Sequence, residues 1–147
     1  MDPREITPRY TVSPQVAPND VAAIKTAGFT TLICNRPDEE VPPPFQAAAM
    51  AQAAEAAGLD FVIAPLTHQT MTSDRIAQQR VIIADSKGPV FAYCASGTRC
   101  TVVWALGQAG AMPVEQIIET AARGGYDLAT LAPRLADIAA QGGIPDA

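Results

Sequence analysis

At 147 residues with a net charge of −5, the chain has the size of one domain, 1–147, and can bury a core without disulfides or a structural metal. The acidic balance excludes non-specific nucleic-acid binding and attraction to an anionic membrane surface, and no apolar run reaches transmembrane length. Met1-Asp2-Pro3-Arg4-Glu5 has no apolar core behind it, so no signal peptide is read, and the three cysteines point to a reducing, cytoplasmic setting. With one histidine, His68, and no Cys-x-x-Cys, no zinc site of ordinary spacing can be assembled, and neither metal nor cofactor is expected.

Residues 6–12 hold a short strand, Tyr10-Thr11-Val12, bounded by Pro8 and by Ser13-Pro14, and Pro18-Asn19-Asp20 starts a helix with Asn19 or Asp20 as its cap. Val21, Ile24 and Ala27 form one apolar face, and Gly28 ends that helix. A second strand spans 30–35, followed by an acidic, proline-rich stretch over 36–44 that can be neither helix nor inner strand. An alanine-rich helix over 45–57 stops at Gly58, and 59–64 is a third strand ended by Pro65. After a loop at 66–71, Thr72-Ser73-Asp74 caps a helix to about residue 85. The fourth strand begins at Val90, and helices are expected over 101–109, over 114–123 and from Asp127 or Thr130 to 140. The tail from Gly142 is expected to fray. Strands two to four alternate with helices, which predicts an α/β fold: three layers, α/β/α, around a short, mostly parallel four-stranded sheet covered on both faces.

The chemistry concentrates after the fourth strand, in Cys94-Ala95-Ser96-Gly97-Thr98-Arg99-Cys100. A strand, a tight loop and a helix start make an anion site, because loop N–H groups and the helix N-terminus point at whatever sits there. A cysteine in that field loses its proton more readily than a free thiol, and the thiolate is the nucleophile. Arg99 adds a permanent cation with a fork of donors for an oxyanion. The Ser96 and Thr98 hydroxyls either shape the loop or touch the anion. The plainer alternative for Cys94 is a buried small hydrophobe. Ligands of parallel sheets bind beyond the carboxyl ends of the strands. Cys34, Asn35, Arg36, Asp38 and His68 share that edge with Cys94 and are the accessory candidates.

A wider set of segments points to a family. Ile6-Thr7, Val12-Ser13, Asp20-Val21, Asn35-Arg36-Pro37-Asp38, Ala56-Ala57-Gly58-Leu59, Gly88-Pro89-Val90 and Tyr93-Cys94-x-Ser96-Gly97-Thr98-Arg99 together resemble the beta-lactamase-hydrolase-like, phosphatase-like domains, also catalogued as small sulfur transferases. The resemblance implies a fold similar to cysteine-dependent, dual-specificity-like phosphatases, with Cys94 as nucleophile and Arg99 as oxyanion binder. It also implies the strand order first-fourth-second-third, which sets the strand of Cys34 beside that of Cys94. Some phosphatases of this fold pair a cysteine on that neighbouring strand with the oxidised nucleophile. On that ground Cys34 is favoured over Cys100 as a resolving partner, while the plainer reading leaves Cys34 simply buried in the sheet; Cys100 is either the rival resolving thiol or a hydrogen-bond partner to the thiolate. The chain departs from the pattern in three places. Cys100 stands where serine is usual, and four residues separate Cys94 from Arg99 where dual-specificity phosphatases have five; four is the count of rhodanese-type loops. Residues 65–71 hold no aspartate in the place of the phosphatase general acid.

A phosphate ester needs a proton delivered to its leaving oxygen, a contribution of about 10²–10⁴-fold. His68 titrates in the right range for that task or is a simple loop histidine. Asp74 fits helix-start chemistry more simply, and Asp38 a solvated acidic loop. Sulfur transfer needs only a reactive thiolate and a cradle for the terminal sulfur. The sequence therefore reads as a thiolate enzyme transferring sulfur through a Cys94 persulfide. Phosphoester hydrolysis through a phosphocysteine is the alternative, and a non-catalytic anion-binding module is the third reading. The expected partners are a small anionic or sulfur-containing substrate and, for sulfur transfer, another enzyme of sulfide metabolism.

Overall fold

A computed structural model describes residues 1–146. Five short strands set its frame: β1 (Arg4–Thr7), β2 (Tyr10–Ser13), β3 (Thr31–Cys34), β4 (Asp60–Ile63) and β5 (Val90–Tyr93). They form one sheet in the order β1-β2-β5-β3-β4. β2, β5, β3 and β4 are parallel, and β1 is antiparallel to β2. The four parallel strands keep the order implied by the resemblance. The fifth strand is a correction: the strand expected around Tyr10-Thr11-Val12 is β2, and β1 precedes it as the other arm of a hairpin. Thr7 pairs with Tyr10 across Pro8-Arg9, and a proline with fixed φ and no N–H favours the turn there over a continuing ladder.

Six α-helices cover the sheet: α1 (Val21–Thr26), α2 (Ala47–Ala57), α3 (Ser73–Asp85), α4 (Thr98–Gln108), α5 (Val114–Arg123) and α6 (Ala132–Ala140). The side-chain period of two in a strand separates two cores. Phe91 and Tyr93 of β5 pack with Leu32, Val21, Ile24 and Met50 on the α1–α2 side. Val90 and Ala92 pack with Val12, Ile33, Ile76, Val103 and Leu106 on the other. No helix among the described residues is long and apolar enough to cross a membrane.

Two further expectations change. α4 begins at Thr98 and not at 101, so Arg99 and Cys100 lie in its first turn; residues 99–107 are all buried, and Gly97 provides the left-handed entry at φ +90°. The tail does not fray over 142–146. Gly143 N–H donates to the Ile138 carbonyl at 2.9 Å, while Arg80 donates to the Ile144 carbonyl and pairs with Asp146, each at 2.6 Å. Ala147 lies outside the described residues.

Candidate active site

Cys94 follows β5 directly, and the chain turns back over it through Ala95, Ser96 and Gly97 into α4. Gly97 N–H donates to Cys94 Sγ at 3.1 Å. The Cys100 thiol and the backbone N–H groups of Cys100 and Arg99 also favour the anionic form of that sulfur. Burial alone would raise a thiol pKa. Here the donors win, Cys100 Sγ–H foremost, and hold Cys94 down to about 5. The proton stays on Cys100, whose burial and thiolate neighbour push its own thiol well up. Cys94 is thus the anion of the pair at neutral pH and Cys100 its donor.

The loop is shaped by contacts within itself and from one distant residue. Ser96 Oγ and Thr98 Oγ1 share a hydrogen bond at 2.9 Å, and Thr101 Oγ1 donates to the Gly97 carbonyl at 2.8 Å. Tyr126 Oη donates to the Ser96 carbonyl at 2.9 Å. The same hydroxyl occupies the space that a Cβ on Gly97 would need. Ala95 and Ser96 are exposed, but Cys94 has no accessible surface. The sulfur lies beneath the loop.

Arg99 is fixed by a two-point pair with Glu40: Nη1 to Oε2 at 2.8 Å and Nη2 to Oε1 at 2.7 Å. Nη1 also donates to the Leu66 carbonyl at 2.8 Å. Glu40 takes a further hydrogen bond from Arg36 Nε at 3.2 Å. Between two guanidinium groups, Arg99 foremost, its carboxyl is held below the ordinary range. The two-point geometry fixes the guanidinium plane and leaves further N–H donors for a bound oxyanion.

The accessory candidates separate. Arg36 braces Glu40 and also donates to Gln15 Oε1 at 3.3 Å. Asp38 is a helix cap and not an acid at the site: its Oδ1 accepts from Ala47 N–H at 2.8 Å, where α2 begins. Asn35 faces the core rather than a ligand. Its amide donates to the Ala64 carbonyl at 2.8 Å and exchanges two hydrogen bonds with buried Gln79. Gln79 donates onward to Tyr10 Oη at 3.2 Å, and that hydroxyl donates to the Cys100 carbonyl at 2.8 Å. This chain ties the end of β3 to the first turn of α4. Cys34 belongs to the α1–α2 core, while Cys94 and Cys100 belong to the other core. Cys34 and Cys94 thus pack into different cores, which fits the plainer reading of Cys34 as a core thiol. The Cys34 thiol donates to the Arg36 carbonyl at 3.3 Å, and burial pushes its pKa up. His68 is exposed on the rim of a cavity of about 350 Å³, with Met71, Thr98, Val102, Leu128 and Arg134. Asp74 is exposed in the first turn of α3.

Glu40, Gln79, Tyr10 and Tyr126 are the site residues that sequence reasoning missed. Only Glu40 carried a signal, as an acid in the loop that leaves the strand edge shared with Cys94.

A cysteine at the end of a central parallel strand, under a short loop that leads into a helix bearing an arginine, sits in the fold of a phosphatase-like domain. The chain belongs to the family of the beta-lactamase hydrolase-like protein, phosphatase-like domain, which it matches over residues 2–111. A beta-lactamase hydrolase-like protein of Agrobacterium fabrum (strain C58) is 33% identical over 125 residues, covering 84% of this chain; the chain spans 29% of that relative's length. A solved phosphatase candidate from Neisseria meningitidis is 33% identical with a TM-score of 0.83, covering 93% of this chain and 98% of that one. TpbA of Pseudomonas aeruginosa, solved in complex with phosphotyrosine, has a TM-score of 0.66 at 14% identity over 96% of this chain and 90% of its own. That last likeness is one of fold.

Proposed function

We propose that the protein is a cysteine-dependent phosphatase-type hydrolase that acts on phosphate esters with stable leaving anions. One observation carries this reading: the Cys94 thiolate, held near pKa 5 by the N–H and S–H donors around it, closes β5 just ahead of the first turn of α4, where Arg99 is fixed by its two-point pair with Glu40. The thiolate attacks phosphorus, the P–O bond to the leaving group breaks, and the leaving oxygen departs with its electron pair. Arg99 and the loop N–H groups hold the non-bridging oxygens of the phosphoryl group. Water then attacks phosphorus, the S–P bond breaks, and Cys94 returns as thiolate with inorganic phosphate released. A low thiol pKa serves both halves, because a stable thiolate is also a good leaving group. The 65–71 loop holds no carboxylate and Asp38 is committed to capping, so aryl phosphates and acyl phosphates suit the site better than alkyl esters, whose leaving oxygen needs a proton. A substrate reaches the sulfur when the loop over it yields.

Sulfur transfer is the second reading, favoured by the four-residue spacing from Cys94 to Arg99 and by the same shortage of an acid. There the Cys94 thiolate attacks the outer sulfur of thiosulfate, the S–S bond breaks, sulfite leaves, and an acceptor thiolate takes the outer sulfur from the resulting persulfide. Aryl-phosphate hydrolysis measured against thiosulfate-dependent sulfur transfer, each with a Cys94→Ser control, separates the two. Cys94-dependent phosphate release is the expected result. Cys94-dependent sulfur transfer without it makes the second reading the function, and no Cys94-dependent turnover in either assay leaves an anion-binding module.

A further inference from the structure

We propose, resting on the phosphatase reading above, that the cavity lined by His68 and Arg134 is a specificity pocket for the organic part of the substrate. Arg134 holds a second negative group there, so that the preferred substrates are aryl phosphates bearing a carboxylate. Three segments build the cavity, and each is tied to the loop over Cys94 or to Arg99. Residues 66–71 run from the Leu66 carbonyl, which accepts from Arg99 Nη1 at 2.8 Å, to His68 and Met71 on the cavity wall. α4 contributes Thr98, whose hydroxyl shares a hydrogen bond with Ser96 Oγ at 2.9 Å, and Val102 one turn further on. The third segment leaves Tyr126, whose hydroxyl donates to the Ser96 carbonyl at 2.9 Å, and brings in Leu128, Leu131 and Arg134. The space of about 350 Å³ therefore opens beside the loop that covers the nucleophile.

The walls divide by chemistry. Met71, Val102 and Leu128 are buried and Leu131 half-buried, an apolar surface of the kind that takes an aromatic ring. Three ionisable side chains stand around it. Asp127 is turned to its own backbone, where Oδ1 accepts from Ala129 N–H at 3.0 Å. Arg4, Arg36, Arg80, Arg99 and Arg123 each hold a carboxylate, but no ion pair among the described residues engages Arg134 or His68. Both are exposed to whatever enters the cavity. A guanidinium takes a carboxylate in two-point fashion, and the His68 imidazole adds a polar group on the same cavity. With Asp127 nearby, a singly charged acid suits the pocket better than a second phosphate dianion. The ligand that fits is an aromatic ring carrying one carboxylate besides its phosphate.

The test compares 3- and 4-carboxyphenyl phosphate with their carbamoyl counterparts, which match them in size but carry no charge on the ring substituent. Wild type is expected to show, for the better carboxylate isomer, a KM about three- to fivefold below that of its carbamoyl match, the range of an ion pair at a water-accessible site. KM is the readout because the two leaving phenols differ in acidity, which acts on kcat. Arg134→Gln is expected to erase the difference and Arg134→Glu to reverse it; the position is exposed, so neither change disturbs the core. Calorimetric binding of the same compounds to Cys94→Ser, and to Cys94→Ser combined with Arg134→Gln, repeats the comparison without turnover. A carboxylate preference in binding that depends on Arg134, with no hydrolysis by wild type, would break the phosphatase reading and keep the pocket. Absence of a carboxylate preference in Cys94→Ser, or a preference that survives Arg134→Gln, would overturn the pocket whatever the rate of hydrolysis.

Discussion

Cys34 and Cys94 close adjacent parallel strands, one step apart in register, since Cys34 pairs with Tyr93. Both are buried, yet their thiols move in opposite directions. Cys34 lies among Val21, Met50 and Tyr93, and burial dominates, raising its pKa. Cys94 meets the Cys100 thiol and three backbone N–H groups, and is lowered to about 5. Burial sets the size of the electrostatic effects, and the count of donors aimed at the sulfur sets their sign. One residue's difference in strand parity thus separates a core thiol from a reactive one.

The largest expected effect falls on the nucleophile. Cys94→Ser should cut turnover by roughly 10⁴-fold or more, while Cys34→Ser leaves it within about twofold; comparable losses in the two would erase the distinction. Arg99→Lys keeps the charge but loses the two-point fork, and a fall in kcat/KM of roughly 10²-fold is expected. Glu40→Gln frees the guanidinium without removing it and should cost less, about tenfold. Near-wild-type kinetics for Arg99→Lys would mean that the loop N–H groups bind the anion alone.

Two smaller effects concern the loop's frame and are read in stability. Gly97→Ala forces a side chain into a left-handed conformation and against the Tyr126 hydroxyl. A loss of at least about 1–2 kcal/mol in chemical denaturation is expected, with weaker anion binding beside it. Gln79→Leu strands the buried Asn35 amide and the Tyr10 hydroxyl, at a cost of about 1–3 kcal/mol; an unchanged denaturation midpoint would show that these groups find other partners.

The parts legible in the sequence were those encoded within a few consecutive residues. The Cys94–Arg99 segment announces a strand, an N–H-rich turn and a helix start, and the β/α alternation fixes a covered parallel sheet with the loop at its carboxyl edge. What was hidden depends on residues that meet from far apart. Glu40 reaches Arg99 across 59 positions, and Tyr126 reaches Ser96 across 30; neither pairing leaves a periodic trace. The start of α4 was placed too late because Thr98, Arg99 and Cys100 read as loop chemistry, although they form a buried helical turn. The face of the sheet that Cys34 occupies is hidden for a different reason. Strand adjacency could be anticipated, but side-chain parity depends on the register, and a single step moves a residue to the other face.

The depressed thiol also makes stability depend on pH with a definite sign. The folded pKa of Cys94, about 5, lies below the unfolded value of about 8.5. Its ionisation therefore stabilises the fold fully above about 8.5, and that contribution is lost as pH falls toward 5. Cys94→Ser should flatten this part of the profile, an effect read as the difference in denaturation midpoint between the two proteins at each pH. An unchanged slope would place the titration elsewhere.

The most direct test is the ultraviolet absorbance of the thiolate, followed against pH in wild type and in Cys94→Ser and Cys34→Ser variants, because it requires no reagent to reach the buried sulfur. A thiolate that appears with a midpoint near pH 5, persists in Cys34→Ser and vanishes in Cys94→Ser is the predicted result. A wild-type midpoint near the ordinary thiol value of about 8.5, or a low midpoint that survives in Cys94→Ser, would contradict the assignment of Cys94 as the working anion.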